Sequence, residues 1–196
     1  MFRSPPFATQ DVILLRSLQL DVHSHTFPSI SCNPRGESPI GVMKIFDDYI
    51  EECFVEMMDD NVHFRFIGNL NIFPQALQEK MARIDRETAH KPFLLNIAVN
   101  YGGREEIVHA CNDLIRAGKS EVTEEDISAN TYTGCCPDPD LVVRTGGDLR
   151  ISNFLLWQSA YTEYYFSDVL WPDFSGDDVD EAVTAFYSRK RRYGGV

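Results

Sequence analysis

The sequence predicts an α/β fold, a largely parallel sheet flanked by helices. Three observations carry this expectation. Short apolar runs of strand length alternate with longer stretches whose apolar residues recur at three- and four-residue steps. Two strand-like runs end in paired glycines followed by a charged residue, which is where open α/β sheets place their ligands. A chain of 196 residues that is 43% hydrophobic and 24% charged can also bury the core of one domain.

Residues 1–37 stand apart. Pro5, Pro6, Pro28 and Pro34 interrupt them, serine is frequent, and only Asp11 to Leu15 suits a short strand. From residue 38 the pattern is regular, so 38–196 is read as the folded domain. Ile40, Met43, Phe46, Ile50, Phe54 and Met57 mark an amphipathic helix. Val62 to Ile67 alternates as a strand and is closed by Gly68-Asn69. Phe73, Leu77, Met81, Ile84 and Thr88 mark a second helix, with Pro74 in its first turn. Phe93 to Val99 is nearly continuous in apolar character, as in a strand covered on both faces. Gly102-Gly103 leads into a helix carrying Ile107, Cys111, Leu114 and Ile115, which Gly118 ends. Thr123 to Asp126 reads as a capping box. Leu141 to Arg144 is a strand that delivers the chain to Thr145-Gly146-Gly147-Asp148. A helix is expected from Ser152 or Asn153 to Ser159, a strand over Tyr161 to Phe166, and a last helix through Val179, Ala182, Val183 and Phe186.

Composition excludes several classes of function. The formal charge of −12 argues against a nucleic-acid partner, for which a broad basic face is expected. No apolar run reaches the roughly 20 residues of a spanning helix. The five cysteines are odd in number and match no zinc spacing, and adjacent Cys135 and Cys136 are poorly placed to pair, so reduced thiols are expected. Four of the 18 basic residues are consecutive, Arg189 to Arg192. Such a run is either a solvated tail or one that reaches an anionic ligand or an acidic neighbour.

The chemistry concentrates between Arg144 and Glu163. Gly146 and Gly147 have no side chains to hold a ligand away, so their N–H groups could approach an oxyanion. Arg144 and Arg150 offer two guanidinium forks on either side of the turn. Ser152 adds a hydroxyl and, at a helix start, free N–H donors. This set favours a phosphate or diphosphate; the same spacing also fits a tight turn in which both arginines bridge to Asp148. Glu163, among Tyr161, Tyr164, Tyr165 and Phe166, is either a Mg²⁺ ligand beside a diphosphate or an exposed strand-edge carboxylate.

The run from Arg144 through Trp157-Gln158, then Ala160-Tyr161-Thr162-Glu163 and Asp168 to Phe174, resembles the C-terminal signature of the cis-prenyltransferases, the undecaprenyl diphosphate synthase type above all. Asn100-Tyr101-Gly102-Gly103-Arg104 and the closing Arg189 to Gly195 resemble the same family. The resemblance implies Mg²⁺-dependent condensation of isopentenyl diphosphate with an allylic diphosphate in cis. It puts Arg144, Arg150 and Ser152 on the isopentenyl diphosphate, with Gly146, Gly147 and Ile151 in the same binding loop, and Glu163 on the metal. Arg192 and Gly194 correspond to a terminal element that reaches the partner's site in dimeric relatives, implying a homodimer. A cytoplasmic protein in peripheral contact with a membrane is expected from the lipid product. The catalytic residues themselves are left unassigned by the sequence.

One departure is large. Residues 1–37 contain no counterpart of the family's Asp-Gly-Asn loop, which holds Mg²⁺ and the allylic diphosphate, and Ser31 to Arg35 is a degraded echo of a second family segment. The first two strand–loop units therefore read as lost or replaced; their loss would leave a bare sheet edge, with weak or absent activity as the expected result. The alternative function is a non-catalytic subunit that pairs with a complete relative.

Overall fold

Alternating Val, Phe and Ile residues suit a pleated, half-buried surface, and a computed structural model gives the architecture they build. The structure describes residues 61–189, the helical residue Ile50, and the backbone of two earlier strands. In chain order these are strands β1 (Val12–Leu15), β2 (Ser24–Ser29) and β3 (Val62–Ile67), helix α1 (Gln75–Thr88), strand β4 (Phe93–Val99), helices α2 (Gly103–Arg116) and α3 (Glu124–Asn130), strands β5 (Leu141–Arg144) and β6 (Glu163–Phe166), and helix α4 (Gly176–Ser188). Short 3₁₀ turns occupy Leu70–Ile72 and Trp171–Asp173.

The strands form two three-stranded sheets in the orders β2-β4-β3 and β1-β5-β6, and β1 lies beside β2 so that the sheets adjoin. All ladders are parallel except β1 with β5. The expected strand near Asp11–Leu15 is present as β1, whereas β2 was not anticipated. Among the described strands its ladder partner is β4. The bare edge expected at the start of the sheet is corrected: β1 covers β5 and β2 covers β4, although neither supplies the family loop sequence. The expected helix over residues 40–57 lies outside the described residues, apart from Ile50, which is buried in the core.

Helix α1 packs Leu77, Met81 and Ile84 onto Phe64, Phe66 and Val99 of β3 and β4. Thr88 locks this contact: its Oγ1 accepts the Phe64 N–H at 3.0 Å and donates to the Ile84 carbonyl at 2.8 Å. Thr88→Val keeps the shape but strands a buried N–H, and is expected to cost about 1–3 kcal/mol in urea unfolding; an unchanged midpoint would show that the hydroxyl carries no such weight. Helix α2 ends as expected, with Gly118 left-handed and its N–H on the Ile115 carbonyl while Lys119 N–H reaches Leu114. The Thr123–Asp126 capping box is present.

Strand β5 is buried along its whole length. Leu141 and Val143 face Ala182 and Phe186 of α4, while Val142 faces Ile67, Ala98, Phe154 and Leu155. This two-sided burial fixes where Arg144 points. By the two-residue alternation it shares the face of Val142.

Candidate functional site

Arg144 is the last residue of β5, at the carboxyl end of its parallel pair with β6, and its side chain is 1% exposed. An uncompensated guanidinium at that depth would be very costly, so its partners define the site. Nη1 donates to Ser152 Oγ at 3.0 Å, and Nη2 donates to Asp148 Oδ2 at 3.1 Å. Arg150, largely exposed, donates through Nη2 to the same Asp148 oxygen. Arg144, Arg150 and Ser152 are therefore brought together as the sequence predicts. The bridge to Asp148 is also present, so the two readings of the spacing are two aspects of one site. Ile151 joins Arg144, Arg150, Phe154, Tyr164 and Phe166 around a crevice too narrow to admit a water molecule.

Two expectations at this loop are corrected. The N–H groups of Gly146 and Gly147 do not point at an open oxyanion position, because they donate to the carbonyls of Val169 and Ser167, each at 2.9 Å. Their use is conformational: φ values of 84° and 78° let the turn dock on the 167–169 segment without a Cβ penalty. Nor does a helix follow Ser152. Ser152, Asn153 and Leu155 have φ values of 49°, 63° and 41°, and residues 152–161 run as successive turns. Tertiary contacts outweigh the helical preference of this stretch. Asn153 accepts Gly103 N–H on its backbone oxygen at 2.7 Å and Arg104 N–H on Oδ1 at 3.0 Å, and Leu155 is buried in the core. The start of α2 is thus capped by Asn153 and is not an open anion site.

Among the described residues, every non-glycine residue with positive φ lies in the loops after β4 and β5: Asn100, Ser152, Asn153 and Leu155. Backbone held in such conformations concentrates where function over-determines it. Asn153→Ala would remove one bond from the α2 start and strain the left-handed position; about 1–2 kcal/mol of lost stability is expected, read by denaturant unfolding. A neutral result would mean the two loops are not joined through Asn153.

Beneath these loops lies a network that sequence reasoning missed. Glu106, 0% exposed, accepts from Tyr101 Oη, from Tyr132 N–H at 2.8 Å, and from Gln158 Nε2 at 3.0 and 3.1 Å. Burial pushes its carboxyl above the ordinary range, against the opposing pull of these donors. Burial, then the charge of Glu106, pushes the Tyr101 phenol up as well. The signal in the sequence was a glutamate at the inner position of the first turn of α2, four residues before Ala110.

Glu163 stands elsewhere. It opens β6 opposite Leu141, whereas Arg144 pairs with Phe166. Alternation puts Tyr164 and Phe166 on the Arg144 side, their rings stacked at 6.0 Å, and puts Glu163 on the other face with Tyr165. There Glu163 Oε2 accepts from Arg189 Nη1 at 2.8 Å, and the same nitrogen donates to the Tyr164 carbonyl at 2.9 Å. The basic run thus reaches an acidic neighbour through its first residue. Lys190 to Arg192 and Gly194 lie outside the described residues. No group of three or more metal-ligating side chains occurs among the described residues. With its one carboxylate already paired to a guanidinium, the Glu163 site does not fit a Mg²⁺ ion held by protein groups alone.

Residues 32–194 match the prenyltransferase family described as putative undecaprenyl diphosphate synthase. The chain is 47% identical over 156 residues to the isoprenyl transferase of Fusobacterium nucleatum subsp. nucleatum, covering 79% of this chain and 67% of that one. It is 42% identical over 154 residues to the isoprenyl transferase of Chromobacterium violaceum, covering 78% of this chain and 61% of that one. The chain therefore spans only about two thirds of the length of these curated relatives. Among solved structures, lavandulyl diphosphate synthase from Lavandula x intermedia, in complex with dimethylallyl diphosphate, superposes with a TM-score of 0.80 at 28% identity, over 89% of this chain and 80% of that one. A probable undecaprenyl diphosphate synthase from Campylobacter jejuni superposes with a TM-score of 0.79 at 28% identity, over 89% of this chain and 84% of that one.

Proposed function

The chain belongs to the undecaprenyl diphosphate synthase family of prenyltransferases, and on that premise we propose that the Arg144 loop binds isopentenyl diphosphate for cis addition to an allylic diphosphate. The observation that carries this reading is a guanidinium buried at the carboxyl end of a parallel strand, in contact with Ser152 Oγ and sharing Asp148 with Arg150.

Arg144, Arg150 and Asp148 together carry one net positive charge. A diphosphate has more oxygens and more negative charge than the Asp148 carboxylate, so it competes for both forks. Binding in this reading exchanges the Asp148 contacts for phosphate contacts. Ser152 Oγ fixes the orientation of the Arg144 fork, and Ile151 and Phe166, partly exposed beside it, present apolar surface to the five-carbon unit. Gly146 and Gly147 contribute by letting the turn dock closely. Electrostatic neutralisation and positioning are the contributions these residues can make; the described residues assign no proton transfer.

Mg²⁺ belongs to this proposal only as an ion completed by substrate phosphate oxygens, because the described side chains do not assemble a site for it. Pairing with a second copy through the Arg192–Gly194 element, and work at a cytoplasmic membrane surface, are parts of the same reading. No helix among the described residues is long and apolar enough to cross a membrane. Sedimentation and vesicle flotation test these two parts.

The test of function is incorporation of radiolabelled isopentenyl diphosphate with farnesyl diphosphate and Mg²⁺. A cis polyprenyl product is expected. No isopentenyl diphosphate binding in a direct titration, and no product after a family N-terminus is restored, would remove the proposal. A second reading is the non-catalytic subunit: neither β1 nor β2 carries the family's Asp-Gly-Asn loop sequence. Binding without turnover, with stimulation of a complete relative on mixing, is the result that reading expects.

A further inference from the structure

Cys135 and Cys136 lie between α3 and β5, away from the Arg144 loop, with their sulfurs 3.5 Å apart. The sheet supplies one donor to each. Arg65 of β3 donates through Nη1 to Cys135 Sγ, and Asn96 of β4 directs Nδ2 at Cys136 Sγ from 3.8 Å. Arg65 and Asn96 are ladder partners, so the two donors sit side by side under the two sulfurs. Arg65 is itself braced, its Nη2 donating to the Tyr132 carbonyl at 2.8 Å. Asn96 is 1% exposed. Cys135 is exposed, whereas Cys136 is half-buried and opens on a cleft of about 390 Å³ beside Asp138 and Trp157. A thiol against a guanidinium at the surface is the environment of reactive cysteines, and a shielded neighbour within reach is that of a resolving one.

We propose that Cys135 and Cys136 form a redox-active dithiol, with Cys135 the thiol that reacts with low-molecular-weight disulfides and Cys136 the thiol that resolves the product. The Cys135 thiolate attacks one sulfur of the disulfide, forms a mixed disulfide and expels a thiolate that takes up a proton. Cys136 then loses its proton to solvent and attacks Cys135 Sγ, closing the Cys135–Cys136 bond and expelling the second thiolate. The two cysteines are oxidised and the small disulfide is reduced to two thiols. Burial, then the hydrogen bond with Cys135, pushes the Cys136 thiol up to about 11. Adjacent Cα atoms are about 3.8 Å apart, below the usual 4.4–6.8 Å span of a disulfide, so the closed ring is strained and readily reduced. The pair is therefore a reversible switch and not a staple.

The experiment uses the whole 196-residue chain, with glutathione disulfide as the probe at neutral pH, alkylation to quench and trypsin digestion. Ser120–Arg144 carries both thiols on one peptide and Glu105–Arg116 carries Cys111 as an internal control. The wild-type peptide is expected to lose two hydrogens without retaining glutathione, at least about tenfold faster than Cys111 reacts, and dithiothreitol should reverse it. Cys136→Ser should hold the glutathione adduct on Cys135, and Cys135→Ser should leave Cys136 unmodified over the same period. Retention of the adduct in the wild type, or a Cys135 in Cys136→Ser that reacts no faster than Cys111, overturns the proposal.

Discussion

Replacing Arg144 by alanine is expected to weaken isopentenyl diphosphate binding by at least about 100-fold, because a buried guanidinium contributes about 1.5–3 kcal/mol through each charge-assisted hydrogen bond and two are lost. Stability should also fall, by about 2–5 kcal/mol, because a fully buried side chain is truncated, although Asp148 keeps Arg150 as a partner. Arg144→Lys separates charge from geometry. Lysine restores the cation but cannot reach Ser152 Oγ and a phosphate oxygen in one plane, so binding should stay at least about tenfold below wild type. Titration calorimetry gives the affinity and thermal unfolding gives the stability. Parallel losses in both, scaled to the unfolded fraction, would mean that Arg144 is a structural brace and no diphosphate anchor.

The second large effect is expected at Glu106. Alanine there removes the acceptor of three buried donors, Tyr101 Oη, the Tyr132 N–H and Gln158 Nε2, and should cost about 3–5 kcal/mol. That is a large share of the roughly 5–15 kcal/mol that holds a domain folded. Because the network ties α2 to the segment that carries Asn153, loosening it should also raise the KM for isopentenyl diphosphate. Glu106→Gln keeps size and one carbonyl acceptor and isolates the charge. The folded-state pKa of Glu106 is raised, so between the ordinary glutamate value and that raised value the folded state binds more protons than the unfolded one. Its contribution to stability is present below the ordinary value and is lost as pH rises through the raised one. The wild type should therefore lose denaturant stability relative to Glu106→Gln as pH rises from the ordinary glutamate value, about 4.3, through the raised one. A difference that stays constant across that range, or grows in the opposite sense, would show that burial does not govern this carboxyl.

Most strands and helices were legible because each rests on a short-range cause. The two-residue alternation of Val62–Ile67, the apolar run of Phe93–Val99, the steps through Leu77, Met81 and Ile84, and the Thr123–Asp126 box all act within a few residues of chain. The same holds for the Arg144–Ser152 loop, whose groups are close in sequence and therefore close in space. The misses have long-range causes. Residues 152–159 form turns and not a helix because Asn153 is recruited to cap α2, forty-nine residues earlier in the chain. The N–H groups of Gly146 and Gly147 are taken by the 167–169 segment.

Composition and local pattern alone established an α/β chain with a parallel sheet and a cationic loop at the carboxyl end of β5, since periodicity and turn chemistry are written residue by residue. Register decided the rest. Only the pairing of Leu141 with Glu163 shows that the acid and Arg144 occupy opposite faces of the sheet, and only the pairing of Arg65 with Asn96 shows that two adjacent thiols share a prepared surface. A ladder couples residues far apart in sequence, and shifting it by one position would turn every side chain to the other face, so no local reading can supply it.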